Sequence, residues 1–69
     1  MNILEERLLV LRKQCGYKQT EAAEALGLSI STYCRYEYGE REPTASVIAR
    51  MAQYFGVSAD YLLGLKEEL

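Results

Sequence analysis

Apolar positions along the chain recur at a spacing of about three to four residues, in stretches separated by five glycines. This spacing is typical of short amphipathic helices, because such residues share one helix face. Leu4, Leu8 and Leu11 form such a face in a first helix predicted over residues 2–15. Strict alternation of apolar and polar residues is almost absent, so strands are not favoured. The pattern therefore predicts an all-α protein.

The second and third helices are predicted to be joined by a tight turn. The second helix spans residues 18–26, and Gly27 suits the left-handed residue that follows a helix end. Ser29 is a preferred N-cap, so the third helix follows it and spans residues 30–37. Two short helices joined through glycine at a steep angle form a helix-turn-helix, here over residues 18–37. One face of such a short third helix is presented to solvent.

Two more helices complete the predicted bundle. Thr44 after a proline is suited to cap the fourth helix, and Gly56 ends it. A fifth helix is predicted over residues 59–63. Five short helices in 69 residues predict one compact domain over residues 1–69. Residues 65–69 either form a tail or extend the fifth helix.

Composition narrows the possible chemistry. The hydrophobic fraction is 49% and the charged fraction 26%, as in an ordinary globular chain. The chain has no His, and Cys15 and Cys34 form no metal-binding spacing, so we expect no metal, no cofactor and no enzyme activity. Both cysteines are interpreted as reduced, small apolar fillers. The longest apolar run, residues 8–11, predicts neither a signal peptide nor a membrane span, and we expect a cytoplasmic protein.

The order of turn, cap and charged residues resembles the Cro/phage-repressor type of helix-turn-helix protein, also called the xenobiotic-response-element family. The resemblance covers residues 4–63 and implies a fold like that of the lambda-repressor DNA-binding domain. It also implies a transcriptional regulator of the repressor kind, which binds a double-stranded DNA operator as a homodimer with its third helix in the major groove. The residues that carry the resemblance are Leu8, Leu11, Arg12, Gly16, Tyr17, Gln19, Glu21, Ala23, Leu26, Gly27, Leu28, Ser29, Thr32, Arg35, Tyr36, Glu37, Gly39, Arg41, Glu42, Pro43, Phe55, Gly56, Val57 and Ser58.

A helical wheel at about 100° per residue divides the third helix into two sides. Tyr33, Tyr36 and Glu37 lie on one side, which we expect to face the core. The other side carries Ser31, Cys34 and Arg35. The resemblance implies that Glu37 pairs with Arg12 and thereby joins the third helix to the first.

The resemblance also implies which residues contact DNA. Arg35 is suited to a bidentate contact with guanine, Ile30 to a thymine methyl group, and Gln19 to a phosphate. The implied DNA-contacting residues are Gln19, Ser29, Ile30, Ser31, Thr32, Cys34, Arg35, Tyr38 and Arg41. Each also fits a structural role: Arg35 as a solubilising charge, Ile30 as a side chain packed on the fourth helix, and Gln19 as plain helix surface.

The charge balance is unusual for a DNA-binding unit. The whole chain carries −2 with a pI of about 5.0. Glu40 and Glu42 stand in a loop where this family usually carries basic residues, and residues 16–43 alone also sum to −2. Lys18 stands where Ser or Thr commonly caps the second helix. Because counterion release supplies much of protein–DNA affinity, these departures predict weak binding unless the cations converge on one face.

Two further interpretations concern partners. Tyr61, Leu65 and Leu69 form one helical stripe if the fifth helix continues through Gly64, and this stripe is the predicted dimer interface; alternatively, Gly64 ends the helix. The second hypothesis for function is a protein-interaction module on the same scaffold, antitoxin-like or adaptor-like. The six tyrosines of the chain favour it, because aromatic residues are enriched at interfaces.

Overall fold

The computed structural model describes residues 2–68, without the side chain of Asn2, and shows five helices and no strand within that range. The predicted all-α, five-helix fold is confirmed. The second helix is one residue shorter at each end than predicted, and the fifth ends one residue earlier. The helices are α1 (Asn2–Cys15), α2 (Gln19–Ala25), α3 (Ile30–Glu37), α4 (Ala45–Phe55) and α5 (Ala59–Leu62).

Hydroxyl side chains cap three of these helices. Ser29 Oγ accepts a hydrogen bond from the Thr32 backbone N–H at 3.1 Å. Thr44 caps α4 in the same way, and Ser58 caps α5. Each bond satisfies an N–H that has no partner inside the helix, and removing such a cap typically costs about 1 kcal/mol. The start of α3 is therefore fixed by its own sequence.

The cap of α2 is incomplete. Lys18 occupies the N-cap position but has no side-chain oxygen to accept from the helix. Glu21 supplies the reciprocal half, since its Oε1 accepts from the Lys18 backbone N–H at 2.7 Å. The helix forms nonetheless, one residue later than the sequence predicts.

The apolar helix faces meet in one core, which includes Leu4, Leu8 and Leu11 as predicted. Tyr36 is also buried, as expected. The buried apolar residues are Leu4, Leu8, Leu11, Ala22, Ala23, Leu26, Tyr33, Tyr36, Val47, Met51, Ala52, Phe55 and Leu62. Cys15, in contrast, is exposed at the end of α1, so its interpretation as an apolar filler is wrong; Cys34 is half-buried and both thiols are free.

The turn between α2 and α3 sets the direction of α3. Gly27 has a φ of +71°, and the Leu28 backbone N–H bonds back to the Ala23 carbonyl at 2.9 Å. Leu28 packs against the core. Arg50 of α4 donates to the Leu26 carbonyl at 2.7 Å, which satisfies an acceptor at the end of α2. This turn is therefore held by its own backbone and by α4.

The chain after α5 does not continue as a helix. Gly64 has a φ of +79°, and residues 63–68 include a turn and two bends but no helix. Of the two alternatives, the one in which the helix ends at Gly64 is therefore confirmed. Tyr61 and Leu65 form no helical stripe, and Leu69 lies outside the described residues. Tyr61 instead packs under Arg7, whose guanidinium carbon lies 4.1 Å from the ring centroid. Arg7 also donates to the Tyr61 and Lys66 carbonyls and forms an ion pair with Glu67 at 2.8 Å.

Candidate nucleic-acid interface

The third helix presents one side to solvent and buries the other. Tyr33 and Glu37 face the interior, as the wheel predicts. Ile30 is 47% exposed, so it does not pack into the core against α4. Ser31 and Arg35 are also exposed. Cys34 and Thr32 are half-buried at the margin of this face.

An ion pair joins the buried side of α3 to α1. Arg12 Nε lies 2.6 Å from Glu37 Oε2, and Arg12 Nη2 lies 3.1 Å from Oε1. The third guanidinium nitrogen donates to the Tyr17 carbonyl at 2.9 Å. The side chain of Glu37 is only 1% exposed, so the pair is largely shielded from water. This bidentate geometry fixes both distance and orientation between α1 and α3.

The surroundings of Glu37 stabilise its ionised form. Burial by itself would raise its pKa, but the hydrogen bonds from Arg12 and Gln19 hold the pKa of Glu37 below its usual value. The hydrogen bond to Glu37 also raises the pKa of Arg12. Tyr33 is fully buried nearby, and its hydroxyl has no hydrogen-bond partner of good geometry within residues 2–68. Burial and the Glu37 carboxylate raise the pKa of Tyr33, which stays neutral.

Gln19 connects this ion pair to the exposed end of α3. Its Nε2 donates to Glu37 Oε1 at 3.2 Å and to the hydroxyl of Tyr38 at 3.3 Å. Both amide hydrogens therefore have acceptors inside the protein. The interpretation of Gln19 as plain helix surface is wrong. Its amide nitrogen holds Tyr38, the exposed residue at the C-cap of α3.

The two hydroxyls at the start of α3 bond to each other. Ser29 Oγ donates to Thr32 Oγ1 at 2.9 Å while it accepts from the Thr32 backbone. The Thr32 hydroxyl hydrogen remains available for an outside acceptor. Both hydroxyls therefore form hydrogen bonds at the start of α3, and only Thr32 retains a hydroxyl hydrogen that it can donate to a ligand.

The surface charge is less negative than the sequence count suggests. Glu37 belongs to residues 16–43, but its charge is compensated by Arg12, which lies outside that range. The remaining exposed charges in the range are three cations and four anions. They are Lys18, Arg35, Arg41, Glu21, Glu24, Glu40 and Glu42. The cations thus nearly balance the anions on this unit.

Three residues contribute contacts to this geometry that the sequence analysis assigned to none of them. The Tyr17 carbonyl holds Arg12, Arg50 holds the end of α2, and Arg7 holds the segment after α5. A carbonyl carries no side-chain signal, and Arg50 contacts a residue 24 positions away. No local pattern in the sequence could have assigned these roles.

Two further features are absent from residues 2–68, a metal-binding cluster and a membrane-crossing helix. Within that range no group of three or more His, Cys, Asp or Glu side chains is arranged to hold a metal ion. None of the helices between these limits has the length and apolar character needed to cross a membrane.

The fold and the presented third helix define a helix-turn-helix protein. The chain belongs to the Cro/C1-type helix-turn-helix family, because the sequence pattern of that family matches residues 8–62. The identification made from the sequence is thereby confirmed.

Named relatives and a solved structure agree with this assignment. The chain is 38% identical over 64 residues to the HTH-type transcriptional regulator ImmR of Bacillus subtilis, covering 93% of this chain and 50% of that protein. It is 34% identical over 61 residues to the phage CTXphi transcriptional repressor RstR of Vibrio cholerae, covering 88% of this chain and 54% of RstR. A transcriptional regulator from Listeria innocua superposes with a TM-score of 0.85 at 35% identity, covering 96% of this chain and 62% of that chain. The chain thus spans about half the length of ImmR and RstR.

Proposed function

We propose that this chain binds a specific double-stranded DNA operator in the cytoplasm and represses transcription. The observation that carries the proposal is the orientation of α3. The Arg12–Glu37 pair holds its inner side against α1, while Ile30, Ser31 and Arg35 are exposed to solvent. Its family and the names of its relatives, a transcriptional regulator and a phage repressor among them, support the same conclusion. No catalytic step is part of the proposal.

Each exposed residue of α3 makes a different kind of contact with the DNA bases. Arg35 donates to O6 and N7 of a guanine, which is the commonest specific contact in the major groove. Ile30 contacts a thymine methyl group, and Ser31 donates or accepts a single hydrogen bond. The residues at the edges of the exposed face of α3 contact backbone phosphates, or orient the residues that make such contacts. They are Gln19, Ser29, Thr32, Cys34, Tyr38 and Arg41.

Specific binding to an operator requires two copies of the chain. One domain of this size contacts only one half-site, so two copies bind one face of the DNA about 34 Å apart. With cations nearly balanced by anions, phosphate contacts contribute little non-specific affinity. Specificity therefore depends on the few base contacts of each copy.

Selection of bound duplexes from a random pool, followed by gel shifts at low and moderate salt, tests the proposal. We expect one enriched sequence with two-fold symmetry, and retention that weakens as salt rises. Failure to retain any duplex, together with capture of a tight protein partner, would support the protein-interaction module instead.

Arg35→Ala is expected to relax selectivity at one base pair in each half-site by roughly 1–3 kcal/mol. The fold is expected to remain intact, because the Arg35 side chain is exposed. The measurement is repeated site selection with the parent and the variant.

Arg35→Lys is the matched control, because lysine keeps the charge but lacks the bidentate donor geometry. We expect Arg35→Lys to lose selectivity while the salt dependence of binding stays as in the parent. An unchanged consensus in both variants would show that Arg35 does not read a base.

Glu40→Lys is expected to raise affinity for any duplex and to steepen its salt dependence. A new phosphate contact changes the slope of log K against log[salt] by roughly −0.9. Glu68→Lys makes the same charge change on the exposed C-terminal segment and should leave the slope unchanged. Equal slopes for the parent and both variants would mean that the loop after α3 points away from DNA.

A further inference from the structure

The outward side of α3 carries an apolar row and a polar row. Residues four apart on a helix lie one above the other, so Ile30 and Cys34 form the apolar row, and the polar row consists of Ser31 and Arg35. The two rows lie about 100° apart around the helix axis. Ile30, Ser31 and Arg35 are exposed, and Cys34 is half-buried. The same surface therefore offers a hydrocarbon group beside hydrogen-bonding groups.

Ile30 is the one large apolar side chain that is exposed among the described residues of α3. The Ser29 cap fixes the start of α3 and so the direction of its first residue. Ile30 is β-branched and has one strongly preferred rotamer in a helix, so little side-chain entropy is lost when a ligand covers it. Its side chain has no hydrogen-bonding atom, and a contact with it is therefore favourable only for an apolar group of the DNA.

The apolar group on the base edges of the major groove is the C5 methyl group of thymine. 5-Methylcytosine carries the same methyl group at the same ring position. The two bases differ in the neighbouring atom, because thymine O4 accepts a hydrogen bond and cytosine N4 donates one. Ser31, the neighbour of Ile30 in the polar row, has a hydroxyl that both donates and accepts, so it matches either base. These two side chains therefore do not select thymine over 5-methylcytosine.

We propose that Ile30 recognises the C5 methyl group itself, so that this chain binds 5-methylcytosine in the place of thymine and responds to cytosine methylation of its site. The inference rests on the proposed function, because it requires α3 to read bases in the major groove. Burial of one methyl group raises affinity about fourfold, or about fifteenfold when both half-sites of a two-fold operator carry it. A site with unmodified cytosine at this position is therefore bound weakly until that cytosine is methylated.

Gel shifts with modified duplexes test this recognition. Each thymine of the selected half-site is first replaced in turn by deoxyuridine, which lacks only the methyl group, to find the base whose methyl group is contacted. Operators are then compared that carry thymine, deoxyuridine, 5-methylcytosine or cytosine at this position in both half-sites, each opposite its complementary base. We expect the parent to prefer thymine over deoxyuridine and 5-methylcytosine over cytosine by the same factor, about fifteenfold.

Ile30→Ser removes the hydrocarbon group from the first position of α3. We expect this variant to bind the methylated and the methyl-free operators of each pair equally well. Leu65→Ser is the matched control, because it removes an exposed apolar side chain from the segment after α5, and it should keep both preferences. Circular dichroism should show equal helix content in the parent and both variants, since both replaced side chains are exposed.

Three results would overturn this inference and leave the proposed function standing. They are a parent that shows no methyl preference on its selected operator, a preference for thymine that 5-methylcytosine does not reproduce, and methyl preferences that persist in Ile30→Ser. A parent that retains no duplex would instead overturn the proposed function, and this inference with it.

Discussion

Replacing Arg12 by methionine is expected to destabilise the fold by about 3–5 kcal/mol, because it leaves the Glu37 carboxylate buried without its cation. The Glu37 side chain is 1% exposed and its Oε2 lies 2.6 Å from Arg12 Nε, so no water takes the place of the guanidinium without rearrangement. The hydrogen bond to the Tyr17 carbonyl is lost as well. Urea denaturation of parent and variant measures the difference. A domain this small has a thin margin, so the variant is expected to be largely unfolded at elevated temperature.

The double variant Arg12→Met/Glu37→Gln is the matched control. It removes the isolated charge and keeps an oxygen that accepts from Gln19, so we expect it to recover at least half of the lost stability. A single variant that loses less than about 1 kcal/mol would show that this pair does not hold α3 on α1.

The same pair predicts a pH dependence. Because the folded pKa of Glu37 lies below its unfolded value, the stabilisation is present above the unfolded pKa and is lost as the pH falls through the folded pKa. In Arg12→Met, burial without a cation raises the pKa of Glu37, and stability is instead lost as the pH rises through that value. The stability gap between parent and variant should therefore narrow in acid. Denaturation curves at neutral and acidic pH measure it.

Gly64→Ala is the second substitution with a large expected effect, a loss of about 2–4 kcal/mol. Part of the loss is backbone strain, because Gly64 has a φ of +79°. The rest is crowding, since a Cβ at this position would lie 2.8 Å from Ile3 Cγ2 and 3.2 Å from Ile3 Cβ. Ile3 is β-branched and belongs to α1, so it has little freedom to move.

Gly56→Ala separates the two causes. Gly56 has a similar φ of +70°, but a Cβ there would meet no atom within 4 Å. We expect it to lose only about 1 kcal/mol. We expect a loss close to that value for Gly64→Ala when it is measured in an Ile3→Ala background, relative to Ile3→Ala alone. Thermal unfolding of the parent and the variants measures these losses of stability. Equal losses for the two single glycine substitutions would mean that the segment after α5 does not pack against α1.

The features predicted correctly from the sequence are those set by neighbouring residues. Ser29 and Thr44 cap helices through bonds to the N–H three residues ahead, so a single short motif specifies each of them. The inward and outward sides of α3 follow from the helical repeat alone. The family was identified for the same reason, since its pattern is a sequence of such local motifs.

The features that the sequence left open depend on contacts between distant residues. Gln19 turns to Glu37 and Tyr38 because α2 and α3 meet at one particular angle. Cys15 is exposed because the last turn of α1 passes the edge of the core, which the apolar pattern of α1 does not specify. The charge count over residues 16–43 was misleading because Arg12, outside that range, compensates Glu37.

At the C-terminal end, the difference between locally determined features and those that depend on distant contacts is clearest. The sequence by itself determined five helices, their caps and the outward side of α3, because those depend on hydrogen bonds and periodicity within a few residues. Only the tertiary structure decided that the helix stops before Gly64, with Ile3 against that glycine and Arg7 on carbonyls up to 59 positions away. Such contacts depend on the angles between packed helices, which no local pattern contains.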